Sequence, residues 1–342
     1  MDPSMSVLVI VHTESDGALA TPALEAVNAA RALAQQLATP FHVGLVGAVV
    51  EPAAAALGTT GAASFRSVAG DAFAQARYAT DVAAAAGIAT AVGADLVIVP
   101  GTSRALRTAG GLAQRLGGVA DTHVVGVAAS AGVVSITRWF YRQRIEGTMS
   151  RTARPWVIAL ETGTTPAWAG APAVVGVEAV AVTAETRSAV TGVRAPSTGE
   201  QTVRPDADLL LVAGAGWTKK QADGQVHAEA AQSAILGFLR ASKASLGGSK
   251  SLVDQSGEGQ AVLPFMTHLN QVGQTGSSPR HRKGLATCCH GEEPHVIGWR
   301  FVTERRAVNL NANCGWAQGK ADVVYVADAF AVMKKVNELL GA

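Results

Sequence analysis

Short apolar runs without charge recur between longer alanine-rich stretches, and this alternation limits the fold more than any other feature of the chain. The first, Val7-Leu8-Val9-Ile10-Val11, is too short for a helix and rich in β-branched side chains, so it reads as a buried strand. A helix over Thr21 to Leu37 follows. Thr21 is expected as its N-cap and Pro22 at its first position, while Leu24, Val27, Ala30, Arg31, Ala34 and Leu37 return at helical spacing. Further strands are expected at 41–50, 95–100, 124–128, 133–137 and 156–160, with helices at 71–86 and 102–116. Strands alternating with helices in this way give an α/β fold with a mostly parallel sheet covered on both faces.

At 342 residues the chain exceeds one ordinary core, and the sequence divides it in two. Residues 1–186 form the expected N-terminal α/β domain. Residues 187–204, with Gly, Pro, Ser and Thr and little periodicity, read as a linker. Residues 205–342 form a second α/β domain, with strands at 208–213, 285–288, 307–310 and 323–326. Its helices are expected from about Lys219 to Ser245 and from Asp328 to Leu340.

A hydrophobic content of 48% against 16% charged residues supplies ample apolar surface. The formal charge of +2 gives no reason to expect nucleic acid or a membrane surface as partner. No apolar run approaches the length of a membrane span, and the first residues lack the basic region and cleavage site of a signal peptide. Three cysteines do not make a disulfide framework, so a reduced, cytoplasmic protein is expected.

Asn270-Gln271-Val272-Gly273-Gln274-Thr275-Gly276 carries the sharpest chemical signal. Glycines on both sides of Gln274-Thr275 permit a tight turn whose backbone N–H groups cradle an anion. The amide and hydroxyl add directional donors. An ordinary turn is the alternative. Gly214-Ala215-Gly216 follows a strand but lacks the third glycine of a dinucleotide fingerprint, since Lys219 stands there, and no acid follows at the usual distance. Cys288-Cys289-His290, His295 and Cys314 are metal-ligand types, but adjacent cysteines point to opposite sides of a strand and no Cys-x-x-Cys pair exists. No metal is expected. The aromatic-basic run 138–144 lacks the wider basic patch of a nucleic-acid surface.

The order of these segments resembles the electron transfer flavoprotein alpha subunit family over most of the chain. The resemblance rests on Ser6–Ile10, on Pro22-Ala23 and 26–30, and on Val212–Gly216. It continues through Gly248-Ser249-Lys250, Val253-Asp254, Val272–Gly276, Gly291, His295, Asn309 and Ala321-Asp322. It implies a C-terminal Rossmann-like domain that binds FAD, and a heterodimer with an electron transfer flavoprotein beta subunit. Electrons would pass from a donor dehydrogenase to an acceptor protein. The cofactor-binding residues implied are Gly216, Ser249, Lys250, Gly273, Gln274, Thr275, Gly276, His290, Gly291, His295, Asn309 and Asp322. Among these, Thr275 would lie beside the flavin N5, with Ser277-Ser278 near the pyrophosphate. His295 would lie at the flavin O2 edge, where a hydrogen bond or positive charge favours the anionic reduced flavin. Asn309 and Asp322 would surround the adenosine and ribose; as residues at strand ends they also suit turns.

The departures matter too. Lys250 stands where the family has Arg, replacing a planar fork by a point charge. His290 stands at a serine that meets the pyrophosphate in the family. The stretch from Lys250 to Val272 is roughly one or two helical turns longer than usual. Outer-sphere electron transfer needs no acid–base residue on a substrate, and no persuasive nucleophile–base pair is found. An electron carrier is therefore the expectation. The alternatives are an FAD-bearing subunit of an oxidoreductase complex that acts on a small molecule, and a cofactor-free scaffold subunit.

Overall fold

The uninterrupted apolar run at the start of the chain is explained by its place: β1 (Val7–His12) is an inner strand of a nine-stranded sheet. The computed structural model describes residues 5–141, 145–184, 186–192, 203–204, 207–255, 263–272, 281–287, 302–311 and 321–341. Two compact units, Met1–Val193 and Arg194–Ala342, make up the chain.

In the first unit the other strands are β2 (Phe41–Gly47), β3 (Ser64–Ala69), β4 (Leu96–Pro100), β5 (Val119–Ser130), β6 (Val133–Phe140), β7 (Ile145–Ser150), β8 (Trp156–Leu160) and β9 (Val177–Ala179). They lie in the order β7-β6-β5-β8-β4-β1-β2-β3-β9. Val7, Val9 and Val11 pack with α1 (Thr21–Leu37) on one face. Leu8 and Ile10 pack on the other with α4 (Tyr78–Val92) and α5 (Ser103–Leu116). Burial on both faces is why these strands show no polar alternation. Ala20, not Thr21, is the N-cap of α1, and Pro22 lies within its first two positions.

The stretch read as one strand over 41–50 ends at Gly47, and Val50 becomes the N-cap of α2 (Glu51–Ala56). The helix expected over 71–86 is broken into α3 (Asp71–Ala74) and α4. Gln75 and Arg77 are extended there, and Arg104 takes up the freed carbonyls, donating to Phe73 O at 2.9 Å and Ala74 O at 3.4 Å. β5 runs parallel to β8 and then, past a bulge where His123 has φ 57°, antiparallel to β6. Buried Asp121 ties this extension to the parallel core. It accepts from Arg138 Nη1 at 2.7 Å, Arg151 Nη2 at 2.9 Å and Trp156 Nε1 at 2.9 Å.

The second unit is a five-stranded sheet in the order β11-β10-β12-β13-β14, every neighbouring pair parallel. Its strands are β10 (Leu209–Ala213), β11 (Ser245–Gly248), β12 (Lys283–Thr287), β13 (Glu304–Asn309) and β14 (Val323–Val326). Its helices are α6 (Ala228–Ser242), α7 (Lys250–Asp254) and α8 (Ala329–Leu340). The chain is thus α/β throughout the described residues, with mostly parallel sheets flanked by helices. The helix expected from about Lys219 starts later. Ala215–Thr218 forms one turn of 3₁₀ helix, and a turn at Asp223-Gly224, with φ 76° at the glycine, precedes Ala228. Asp223 Oδ1 accepts from Gln225 N at 2.9 Å and so competes with helix formation. At the other end Lys243 takes the left-handed conformation, φ 56°, and Ser245 belongs to β11.

Candidate functional site

In open α/β sheets, ligands sit outside the carboxyl ends of the strands, where the strand order reverses. In the second unit that reversal lies between β10 and β12. There Gly214 N donates to Thr287 O at 2.8 Å, and Trp217 Nε1 donates to Thr287 Oγ1 at 2.9 Å. The Trp217 ring is fully buried and packs on Phe330, with centroids 4.6 Å apart. This indole therefore lies at the carboxyl end of β12, beside the reversal. Gly216 is buried in the same turn, and its carbonyl accepts from Gln221 Nε2 at 3.0 Å. A long connection, not a helix N-terminus, follows it.

The open parts of the edge flank the reversal. On one side, buried Ser249 follows β11. Its N–H donates to Ala213 O at 2.9 Å, and its Oγ caps α7 by accepting from Leu252 N at 3.2 Å. Lys250 is half exposed and ion-paired with Asp254, which lies 3.5 Å from His268. The positive charge expected there is therefore already neutralised within α7. Segment 263–272 returns to the same place. Thr267 and Asn270 form a capping box, Asn270 Nδ2 donates to Leu246 O at 3.3 Å, and Val272 N donates to Gly248 O at 3.0 Å. Val272 thus reaches the carboxyl end of β11 immediately before Gly273. Gly273, Gln274, Thr275, Gly276, His290, Gly291 and His295 lie outside the described residues.

On the other side, Asn309 ends β13. It is 3% exposed, and its Oδ1 accepts from Asn311 N at 3.1 Å. Its Nδ2 is buried with no hydrogen-bond partner among the described residues. An orphaned buried amide of this kind is costly unless a ligand or water completes it. Beside it lies a small crevice lined by Gln221, Asn309, Leu310, Ala327 and Asp328. Asp328 caps α8, its Oδ1 accepting from Phe330 N at 3.0 Å.

Asp322 is not brought to this edge. It precedes β14 at the amino end of the sheet, opposite Arg305, and four register steps separate that row from Asn309, about 13 Å. Its carboxylate accepts from Arg305 Nη2 at 2.8 Å and from Arg305 N at 2.7 Å. Those bonds hold its pKa below the usual carboxylate value. The acid beside Asn309 is Asp328, and its signal in the sequence is its position directly after a strand and before a strongly periodic helix. Asp322 has no such place.

The first unit has its own reversal, between β1 and β4. Asp81, with a fully buried carboxylate, accepts from Arg104 Nη2 at 2.7 Å and Nε at 3.0 Å. Arg107 lies 3.7 Å away, and so does His12 Nε2. Burial, and next the Arg104 charge, push the His12 pKa down to about 4 against the opposing pull of Asp81. His12, Asp81 and Arg104 thus meet at the end of β1. Among the described residues no group of three or more His, Cys, Asp or Glu is placed to hold a metal.

The family model described as the electron transfer flavoprotein domain matches residues 7–194, more than half of the chain. The chain belongs to the electron transfer flavoprotein family. The matched span is the nine-stranded unit, so family membership rests on that unit, while the flavin residues implied by the resemblance all fall in the other. No curated protein matches the chain. Among the described residues no helix is long and apolar enough to cross a membrane.

Proposed function

We propose that this electron transfer flavoprotein is of the alpha type. It carries FAD on residues 205–342, pairs with a beta-type subunit, and passes electrons from a donor dehydrogenase to an acceptor protein. The observation that carries the reading is the orphaned amide of Asn309 at the carboxyl edge of the second sheet. The edge around it fits a dinucleotide. Ser249, after β11, and Asn309, at the end of β13, are three strand spacings apart, about 14 Å, so a ligand touching both lies across the edge. Asn309 Nδ2 can donate to an adenosine or ribose acceptor, and the Asp328 carboxylate can accept from a hydroxyl. Ser249 and the chain leaving Val272 stand at the opposite end of that span. Bound FAD would supply the one- and two-electron chemistry. The chain's part is to bind and orient it and to exclude water.

The test is direct. The chain is co-expressed with a beta-type subunit, purified and denatured, and the supernatant is analysed. Stoichiometric FAD, with no FMN, is the expected result. A colourless complex that takes up no added FAD would refute the reading.

A further inference from the structure

Lys250, Asp254 and His268 form a charge cluster beside the carboxyl end of β11. Lys250 Nζ binds Asp254 Oδ2, and His268 Nδ1 lies 3.5 Å from Asp254 Oδ1, so the two basic groups face different oxygens of one carboxylate. Their backbones are fixed. Ser249 caps one end of α7, and Gln255, just past the other, accepts from Thr218 Oγ1. The turn His268–Asn270 is closed by its capping box and tied to β11 through Asn270. The side-chain ends can still exchange, because Lys250 and His268 are at least half exposed. The Lys250–Asp254 pair adds little to the helix, since a cation in the first turn and an acid in the last oppose its dipole. β11 and the 3₁₀ turn Ala215–Thr218, which pack against these segments, carry no charged side chain, and Lys219 is the first charge beyond that turn.

We infer that Asp254 is a positioning residue for Lys250: it holds the ammonium until an anionic ligand at the β11 edge takes it, and His268, gaining one proton from solvent, then replaces Lys250 on the carboxylate. This exchange rests on FAD lying at that edge. The FAD pyrophosphate, which in that reading lies between Ser249 and Asn309, brings the negative charge in every redox state, and a lysine ammonium suits it as a point charge. Charges and protons balance. Before binding, the carboxylate offsets the ammonium beside a neutral imidazole. Afterwards the ammonium offsets a phosphate and the carboxylate offsets an imidazolium, so one proton enters per FAD bound. Exposed ion pairs are weak, so giving up the resting pair costs little.

The apo complex with its beta-type subunit is titrated with oxidised FAD, followed by flavin fluorescence, from pH 6 to pH 8. Wild type, His268→Gln, Asp254→Asn, Lys250→Met and the Lys250→Met, Asp254→Asn double variant are compared, with melting temperatures to check that the fold is kept. Relative to His268→Gln, wild-type affinity should fall about threefold or more over that range, with a ceiling of about tenfold per pH unit for one proton. Asp254→Asn should bind FAD about threefold more tightly than wild type at pH 8, the size of one exposed ion pair, and lose the slope that depends on His268. In Lys250→Met the same change should give no gain. Parallel pH profiles for wild type and His268→Gln, or a gain from Asp254→Asn that is missing in wild type or persists in Lys250→Met, overturn the exchange while FAD remains at the edge. A complex that takes up no FAD in any variant overturns the exchange and the flavin reading together.

Discussion

Acid should weaken the first unit, and His12 should carry a separable share of that loss. The imidazole ends β1 with its Nε2 3.7 Å from Asp81 Oδ1, on a carboxylate already taken by Arg104. Burial and the Arg104 charge lower its pKa from 6.5 to about 4. In the unfolded chain the same histidine protonates near 6.5. Between these values the unfolded state binds a proton that the folded state refuses, so stability falls as pH falls. At about 1.4 kcal/mol per pH unit, the loss grows from near zero at pH 7 to about 3 kcal/mol at pH 4, and it is complete below the folded pKa.

Other groups titrate in the same range. Burial raises the pKa of Glu25 against a bond from Gly163 N, and this opposes the loss. For Asp121, burial is outweighed by hydrogen bonds from Arg151 and Trp156, and its lowered pKa adds to the loss in acid. Comparison with His12→Gln, which carries no titrating group at that position, cancels both contributions. Because two units need not unfold together, the measurement should be local: hydrogen exchange of the β1 amides, which report opening of this sheet alone. Wild type should lose about 3 kcal/mol more protection than His12→Gln between pH 7 and pH 4. Parallel pH profiles, or a His12 proton resonance titrating near 6.5, would refute the reasoning.

Asp121→Asn should destabilise the same unit by about 3 kcal/mol in thermal or urea unfolding, because it leaves Arg138 and Arg151 without their shared carboxylate. Gly118→Ala should cost more than about 2 kcal/mol by the same assay, since the added Cβ would lie 1.9 Å from Pro155 O. Asn309→Leu should lower FAD affinity at the proposed site about tenfold, near 1.4 kcal/mol for one buried hydrogen bond, and should cost about 1 kcal/mol of apo stability by removing the acceptor of Asn311 N. Asp322→Asn, at the other edge of the sheet, should leave FAD affinity within about twofold by equilibrium titration.

What the sequence made legible follows burial. β8 and β14 have the bounds read from the chain, and β1 differs by one residue, because their runs carry no break. α1 was equally plain from its periodicity. β3 carries little strand signal, because Ser64, Arg66 and Ser67 interrupt its apolar residues. Yet its ladder with β2 is complete from Ser64 to Ala69. β11, Ser245–Gly248, has almost no side-chain signal: it is a strand because its backbone pairs with β10 and its two glycines admit Val272 and Met266 at close range. The delayed start of α6 was hidden because Lys219, Lys220, Gln221 and Ala222 suit a helix in composition. The competing turn is made by Asp223 and Gly224, two residues with their own local bonding.

The candidate site was legible in part for a related reason. Ser249 and Asn309 are strand-end residues, and strand ends are fixed by the apolar runs before them. Asp322 was displaced because an acid beside a short strand can belong to either end of it. Only the parallel register, with Arg305 opposite Asp322 and Val326 opposite Asn309, separates the two edges. Sequence also could not reveal which side chains meet at the strand reversals. In the first unit Asp81, Arg104 and His12 converge from an α-helix, another helix start and a strand end far apart in the chain. In the second, Trp217 reaches Thr287, seventy residues on. Among the described residues, Trp217 stands at the reversal of the second sheet, and Ser249, Asn309 and Asp328 place polar atoms at the carboxyl edge on either side of it.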